Sequence, residues 1–298
     1  MVRYSIVFAT NEKYLPHTAV TIVSLLENNR GLKFKIYYII DNVSDANKRK
    51  LISMVDRYEC VIVFINVDAS KLKNLVFSEH FNSAVYYRLM MAEVIEEEKI
   101  LYLDSDIVVN DCIKGIFENN IDKYFLGAVV DPGFTRHGDL GMTRSSEYFN
   151  AGVMYVNLKK WREENVFEKC MNYLNNKSET IKLADQDVLN AIVDGSWKPM
   201  ALKYNQQAVV FVPDFFKKYR FFSFEELRIA IEKPIIIHYT GSLKPWHYRG
   251  NHPYKSLYWK YRRMSPFKGW LWEDITVINI MKWCIPFWLK SILRKGTK

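Results

Sequence analysis

Several signatures of common enzyme folds are missing from this 298-residue sequence. None of its twelve glycines forms the G-x-G-x-x-G pattern of dinucleotide-binding folds or the glycine-rich loop of P-loop enzymes. NAD-type Rossmann enzymes and P-loop kinases are therefore poorly supported. The sequence also lacks G-x-S-x-G and H-E-x-x-H, so it shows neither the α/β-hydrolase nor the zincin motif.

Cysteine is scarce, and its spacing excludes a small zinc module. The four cysteines form no C-x-x-C pair, and none has a histidine at zinc-finger spacing. They are Cys60, Cys112, Cys170 and Cys284. We expect reduced core thiols in a reducing compartment. The first ten residues hold too short an apolar run for a signal peptide or a membrane span. They predict an initial β-strand and a cytosolic protein.

The net positive charge comes from the C-terminal end of the chain. The net charge is +9, and residues 249–298 carry eleven Lys and Arg against two acids, which accounts for all of it. Residues 1–248 are neutral overall. A nucleic-acid-binding face would give the whole domain a net positive charge, so a nucleic-acid partner is disfavoured.

Apolar strand patterns alternate with helical patterns through the first hundred residues. Strands are predicted at 4–10, 34–40, 61–67 and 99–103, and helices at 19–26, 44–58 and 84–95. This alternation predicts an α/β fold with a mainly parallel sheet flanked by helices on both faces. Ligands on such sheets bind at the carboxyl ends of the strands. The fourth predicted strand ends at an acidic turn.

That acidic turn is Asp104-Ser105-Asp106, which comes directly after the apolar run 100–103. Two carboxylates one residue apart on an extended chain point to the same side, with Cα atoms about 6–7 Å apart. Because they repel each other where water is scarce, a cation should lie between them, and a hard divalent ion with oxygen ligands fits. The alternative is that the two acids only cap a strand and a turn.

A second candidate segment begins where another apolar strand ends at His238. A neutral imidazole suits Mn²⁺ better than Mg²⁺ or Ca²⁺. Lys244 is placed to pair with phosphate charge, and Gly241 allows the backbone to approach a ligand closely. A single histidine after an apolar strand also occurs as a purely structural residue, so this segment alone does not define a metal site.

Together, the two segments resemble glycosyltransferase family 8, a retaining family that includes bacterial lipooligosaccharide galactosyl- and glucosyltransferases and glycogenin. The family's D-x-D corresponds to Asp104–Asp106, and its H-x-x-G-x-x-K-P-W signature matches from His238 to Trp246. The resemblance runs from about residue 5 to 247. It implies a GT-A fold and transfer of galactose or glucose from a UDP-sugar. It also implies a metal site of Asp104, Asp106 and His238 that holds Mn²⁺, with Mg²⁺ as the alternative ion.

The same resemblance assigns roles to further residues. A first-strand loop would hold the uracil and ribose, although many relatives have Asp near Asn11; it comprises Ala9, Thr10, Asn11 and Tyr14. The other donor-binding candidates are Arg88, Asp104, Ser105, Asn150, Gly241 and Lys244. The residues expected beside the reacting sugar, and therefore the catalytic candidates, are Asp131, Asp185 and Gln186.

Three of these residues have structural alternatives. Arg88 would fit the surface of a helix, and Asn150 could cap a turn before a buried strand. Asp185 could cap the helix that contains Val188 and Leu189.

Two other functions also remain open. A nucleotidyl- or phosphotransferase uses paired acids and a metal as well, and a membrane-associated protein could bind a sugar nucleotide or glycan without turnover.

We divide the chain into a catalytic domain at 1–249 and a basic, aromatic extension at 250–298. Polar and helix-breaking residues between 275 and 294 recur on one helical face, and Pro286 should kink or divide that helix. We expect the extension to lie on the inner face of the plasma membrane, an anionic surface, near a glycan or lipid-linked glycan acceptor such as a lipopolysaccharide precursor. The alternative is a helix packed on the catalytic core or on a dimer partner.

Overall fold

A seven-stranded mixed sheet forms the centre of the computed structural model. The structure describes residues 3–41, 43–67, 83–143, 147–212, 214–215, 221–269 and 272–276. The strand order is β3-β2-β1-β4-β7-β6-β8. The strands are β1 (Arg3–Asn11), β2 (Lys33–Asp41), β3 (Val61–Asn66), β4 (Lys99–Leu103), β6 (Leu126–Val130), β7 (Phe149–Asn157) and β8 (Lys198–Pro199).

Most neighbours in this sheet run parallel. β1, β2, β3 and β4 pair in parallel, and only β7 pairs antiparallel, with β4 on one side and β6 on the other. β7 is buried along its whole length, as expected for a central strand covered on both faces. The predicted α/β fold with a mainly parallel sheet is confirmed.

A smaller sheet lies beside the large one, in the order β5-β10-β9. Its strands are β5 (Ile107–Val109), β9 (Gln206–Gln207) and β10 (Ile236–His238). The chain passes from β4 in the large sheet to β5 in the small sheet through residues 104–106 alone. The acidic turn is therefore the junction between the two sheets.

The helices connect and cover these strands. They are α1 (Leu15–Asn28), α2 (Asp45–Asp56), α3 (Met91–Val94), α4 (Lys114–Phe117), α5 (Leu158–Glu163), α6 (Val166–Lys177), α7 (Ala184–Ile192), α8 (Phe224–Glu232) and α9 (Lys255–Met264). Ser44 caps α2 as predicted, because its hydroxyl accepts a hydrogen bond from the Asn47 amide. The segment predicted as a helix at 84–95 begins as a 3₁₀ helix, Ser83–Met90, before α3.

Polar side chains of α1 replace a neighbouring strand along one edge of β5. Thr21 Oγ1 donates to the Ile107 carbonyl at 2.8 Å, and Asn28 Nδ2 donates to the Val109 carbonyl at 2.9 Å. Ser24 Oγ accepts from the Val109 amide at 2.9 Å. Ile107 and Val109 are buried, as are Thr21 and Ser24, so these backbone groups would otherwise be left without compensation from water. Helix α1 thereby fixes the strand that comes after the acidic turn.

The structure bears on the predictions about the cysteines and about the C-terminal extension. Cys60 and Cys170 are buried as predicted, but Cys112 is exposed, because it lies on the loop between β5 and α4. Cys284 and the predicted helix at 275–294 from residue 277 onward lie outside the described residues. Among the helices that the structure describes, none has the length and apolar character needed to cross a membrane.

Ser24→Ala should lower the free energy of unfolding by about 1–3 kcal/mol, because the Val109 amide would stay buried without an acceptor. Urea denaturation at neutral pH measures this change. Ser242→Ala, at an exposed position, is the matched control and should change stability by less than about 0.5 kcal/mol. Equal midpoints for Ser24→Ala and the wild type would contradict the role given to α1.

Candidate active site

Two carboxylates and one imidazole converge at the junction of the two sheets. The ligand-capable atoms of Asp104, Asp106 and His238 all lie within 4.8 Å of one another. His238 Nε2 is 3.3 Å from Asp106 Oδ1 and 3.9 Å from Asp104 Oδ2. Strand pairing explains this convergence, since His238 on β10 lies opposite Ile107 on β5, the residue after Asp106.

The imidazole of His238 is oriented from behind by Asn205. The Asn205 amide nitrogen donates to Asn150 Oδ1 at 2.9 Å, so its oxygen faces His238 Nδ1 at 3.0 Å. Nδ1 therefore carries the proton, and the lone pair on Nε2 points toward the two carboxylates. Outer hydrogen bonds of this kind fix the tautomer of metal-binding histidines.

Gly152 leaves the space in which this cluster assembles. A Cβ atom at residue 152 would lie 2.2 Å from His238 Cε1 and 2.9 Å from Asp104 Oδ2. The Gly152 carbonyl also accepts a hydrogen bond from the Asp104 amide at 2.9 Å. A side chain on this strand would displace both ligands, so glycine is required by close approach.

Two cationic side chains balance the buried acids. Lys244 Nζ donates to Asp106 Oδ2 and to the Tyr239 carbonyl. Burial alone would raise the pKa of Asp106, but the charge of the neighbouring Lys244 ammonium holds it well below its ordinary value. The carboxylate of Asp106 is therefore ionised and available to a cation at neutral pH.

Arg88 is the second cation, and it lies inside the protein rather than on a helix surface. Its Nη2 is 3.0 Å from Asp104 Oδ1, and its Nε is 2.8 Å from Asp185 Oδ2. Burial opposes its charge, but Asp104 and Asp185 outweigh that effect and raise the pKa of Arg88. Tyr102 also donates to Asp104 Oδ1 at 2.7 Å. One face of Asp104 is thus held by two donors, and its Oδ2 is turned toward His238.

Asp185 and Asp187, which flank Gln186 on α7, are both buried. Helix α7 begins at Ala184 without a side-chain cap, so the alternative role of Asp185 as a helix cap does not hold. Burial raises the pKa of Asp185 to about 7, against the opposing effect of Arg88. Asp187 accepts hydrogen bonds from Arg136, Tyr148 and the amides of residues 182 and 183, which anchors the start of α7.

Gln186 is held between β7 and Asp131. Its oxygen accepts from the Ala151 amide at 3.0 Å, and its nitrogen donates to Asp131 Oδ2, also at 3.0 Å. Asn150 donates to the same Asp131 oxygen at 3.3 Å. Asn150 lies within β7, so it does not cap a turn. The structure therefore brings together Asp131, Asn150 and Gln186, which connect through Asn205 to His238.

Two of the predicted donor-binding residues, Tyr14 and Lys244, line a cavity of about 280 Å³. The residues that line this cavity are Lys13, Tyr14, His17, Ser242, Lys244, Trp246, His247 and Glu273. Ala9 and Thr10 lie at the end of β1, where Asn11 Oδ1 accepts from the Tyr14 amide at 3.3 Å. Ser105 accepts from Thr18, and Gly241 has a φ of 90° that favours glycine.

Several positioning residues carry no motif signal in the sequence. Asn205 is recognisable only when its amide is seen against His238, and His17 only when its ring is seen stacked on Trp246. Gly152 lies two residues after the predicted donor-binding residue Asn150, but the sequence alone gives no reason to prefer glycine there. The donor set of two carboxylates and an oriented imidazole is suited to a divalent ion.

These features agree with the family relationship of the chain. The model of the family described as Glycosyl transferase family 8 matches residues 5–250, so the chain belongs to this family. The predicted enzyme class, a hexosyltransferase, is confirmed.

Individual relatives support the same class, and a solved structure supports the fold. The chain is 30% identical over 264 residues to General stress protein A of Bacillus subtilis, covering 85% of this chain and 91% of that protein. It is 26% identical over 249 residues to lipopolysaccharide 1,2-glucosyltransferase of Escherichia coli K12, covering 82% and 72%. Its fold matches the crystal structure of galactosyltransferase LgtC with donor and acceptor sugar analogs. That match has a TM-score of 0.79 and 24% identity, and covers 88% of this chain and 96% of LgtC. The predicted GT-A fold is confirmed.

Gly152→Ala should weaken Mn²⁺ binding by roughly 10–100-fold, because the added methyl group would displace His238 and Asp104. Isothermal titration with Mn²⁺ measures this effect without requiring activity. Gly138→Ala is the control, since a Cβ there meets no atom within 4 Å. If Gly152→Ala binds Mn²⁺ as the wild type does, the assigned cluster is not the metal site.

Proposed function

We propose that this protein is a retaining glycosyltransferase that moves galactose or glucose from a UDP-sugar to a glycan or glycolipid acceptor, with Mn²⁺ as its preferred ion. The observation that carries the proposal is the cluster of Asp104, Asp106 and His238 beside the cavity lined by Tyr14 and Trp246, which we name the nucleotide cavity. Lys244 contacts the cluster and lines the cavity. A diphosphate between the cavity and the cluster would meet positive charge from both sides. Mg²⁺ is the alternative ion, since the two carboxylates suit it equally.

The chain's own residues would stabilise charge as the bond to the sugar breaks. Lys244 is fixed by Asp106 and the Tyr239 carbonyl, so it offers a preorganised positive charge to the leaving diphosphate. A divalent ion bound by Asp104, Asp106 and His238 would supply Lewis-acid stabilisation to the same group. Arg88, which is buried behind Asp104, pairs with Oδ1 of that carboxylate and leaves its Oδ2 directed at the cluster.

Retention without a covalent intermediate agrees with the groups near Gln186. A retaining glycosidase uses a carboxylate nucleophile, but Asp185 is buried against Arg88 and Asp131 is engaged by Gln186 and Asn150. Gln186 is an amide, which is a poor nucleophile. We therefore favour a front-face displacement in which Gln186 and Asp131 orient the sugar and the leaving phosphate helps deprotonate the acceptor.

The acceptor is proposed to be lipid-linked, and its membrane to lie against the C-terminal extension. A relative named lipopolysaccharide 1,2-glucosyltransferase supports a lipopolysaccharide precursor as the acceptor. The basic residues of 250–298 would each contribute about 1 kcal/mol at an anionic surface. The enzyme would then act at the inner face of the plasma membrane.

A donor screen tests the catalytic proposal. Pure protein with Mn²⁺ should release UDP slowly from UDP-galactose or UDP-glucose, and EDTA should stop the release. Asp106→Ala should reduce UDP release by roughly a hundredfold or more, because the cluster loses a ligand and Lys244 loses its anchor. Absence of UDP release from every UDP-sugar tested would contradict the proposal and favour a binding protein without turnover.

The same assay separates chemistry from binding. Gln186→Ala should lower kcat while leaving the Kd for UDP near that of the wild type, since Gln186 lies at the sugar end of the site. Asn11→Ala should weaken UDP binding instead. A covalent sugar adduct trapped on Asp185 or Gln186 in a single turnover would overturn the front-face mechanism.

Deleting residues 277–298 tests the membrane proposal. This deletion removes the apolar and basic end of the extension but keeps the described segment 272–276. The truncated protein should retain UDP-sugar hydrolysis and lose co-sedimentation with anionic liposomes at low salt. Neutral phosphatidylcholine vesicles serve as the control, and full-length protein that ignores anionic vesicles would contradict the proposal.

A further inference from the structure

One wall of the nucleotide cavity comes from outside the part of the chain that matches the family. The family match ends at residue 250, whereas Glu273 lines the cavity together with Tyr14, Lys244 and Trp246. Glu273 belongs to the segment 272–276, which lies beyond the end of α9. This short segment therefore completes a site whose other walls come from the family's own part of the chain.

Glu273 contacts both the side chain and the backbone that form this wall. Its Oε1 is 2.9 Å from His17 Nε2, and its amide donates to the Trp246 carbonyl at 3.2 Å. The His17 ring stacks on the Trp246 indole with centroids 3.7 Å apart and an angle of 18° between the planes. Glu273 therefore holds the two aromatic rings that separate the cavity from the core.

The hydrogen bonds of His17 define its state. Burial lowers the pKa of His17, so the ring is neutral near pH 7. The hydroxyl of Tyr258 lies 2.7 Å from Nδ1 and can donate to it, which leaves Nε2–H to donate to Glu273. A hydrogen bond from His17 lowers the pKa of Glu273, so this carboxylate is ionised. Tyr258, His17 and Glu273 form one chain of hydrogen bonds from α9 to the cavity.

The neighbours of Glu273 hold the rest of the same loop. Asp274 accepts from the Tyr248 amide and pairs with Arg249 Nε at 3.6 Å. Trp272 packs edge-on against Trp259 with ring centroids 4.6 Å apart. Lys255 lies 4.0 Å above the Trp272 ring. Three consecutive residues thus contact the loop that begins at Lys244 and the helix after it.

We propose that Glu273 is a positioning residue of the donor site, through which the segment 272–276 holds His17 and Trp246 in the shape that binds the nucleoside diphosphate. This inference rests on the proposed function. Preorganisation of the cavity would lower the ordering cost of binding, because the loop with Lys244 is already fixed before the donor arrives. Glu273 acts through His17 and Trp246 and makes no contact with the reacting atoms.

The test compares two substitutions of Glu273 in the full-length chain. Glu273→Ala removes the acceptor of His17 Nε2–H and should weaken UDP binding in the presence of Mn²⁺ by about tenfold. The KM for the UDP-sugar should rise by a similar factor while kcat stays near the wild-type value. Glu273→Gln keeps an oxygen acceptor and should bind UDP within about twofold of the wild type.

Calorimetry with UDP and steady-state kinetics provide the readouts, and thermal unfolding confirms that each variant is folded. Glu225→Ala removes an exposed carboxylate on α8 and is the matched control, with UDP affinity expected to equal that of the wild type. A Glu273→Ala variant that loses thermal stability but keeps wild-type UDP affinity would overturn the inference, since the contact would be structural only.

Three further results are decisive. Equal losses of UDP affinity in Glu273→Gln and Glu273→Ala would overturn the hydrogen-bond assignment, because the amide retains the acceptor. Wild-type protein that binds no UDP would overturn the proposed function and this inference together. Wild-type protein that binds UDP alongside an unaffected Glu273→Ala variant would overturn this inference alone.

Discussion

Buried negative charge at the edge of the large sheet is the constraint on which the site depends. Asp104, Asp106 and Asp185 have little access to water, and carboxylates placed so close together need cationic partners. Arg88 pairs with two of them from the interior, and Lys244 pairs with the third from the loop. The interior cation fixes the geometry, while the loop cation faces the cavity.

The backbone around this charge is held by side chains rather than by regular pairing alone. At residues 104–106 the chain leaves the large sheet and enters the small one, so these residues belong to no continuous strand. Helix α1 compensates with Thr21, Ser24 and Asn28, whose polar atoms satisfy the groups of β5. The same helix carries His17, which lines the cavity, so the cluster of Asp104, Asp106 and His238 and the cavity beside it share one support.

Hydrophobic periodicity and two short motifs were enough to predict the sheet and the segments that carry the ligands. The ends of two apolar strand patterns pointed to the acidic turn and to His238, and the antiparallel pairing of β10 with β5 brings these residues together. Gly152, Asn205 and Glu273 could not be predicted, because their roles depend on a neighbour distant in the chain. Arg88 was expected to meet the donor, but only the packed structure shows it buried between Asp104 and Asp185. The helix predicted near 275–294 stays a prediction beyond residue 276.

The chain of amides between Gln186 and His238 has a fixed direction. The peptide N–H groups of Ala151 and Gly152 can only donate, and they point at the oxygens of Gln186 and Asn150. The side-chain nitrogens of Gln186 and Asn150 then face Asp131. Asn205 donates its nitrogen to Asn150, so its oxygen faces the imidazole of His238. Two peptide groups of one strand thus determine both which nitrogen of His238 is free and which end of Gln186 faces Asp131. The backbone of β7 thus sets the tautomer of His238 and the orientation of the side-chain amides around it.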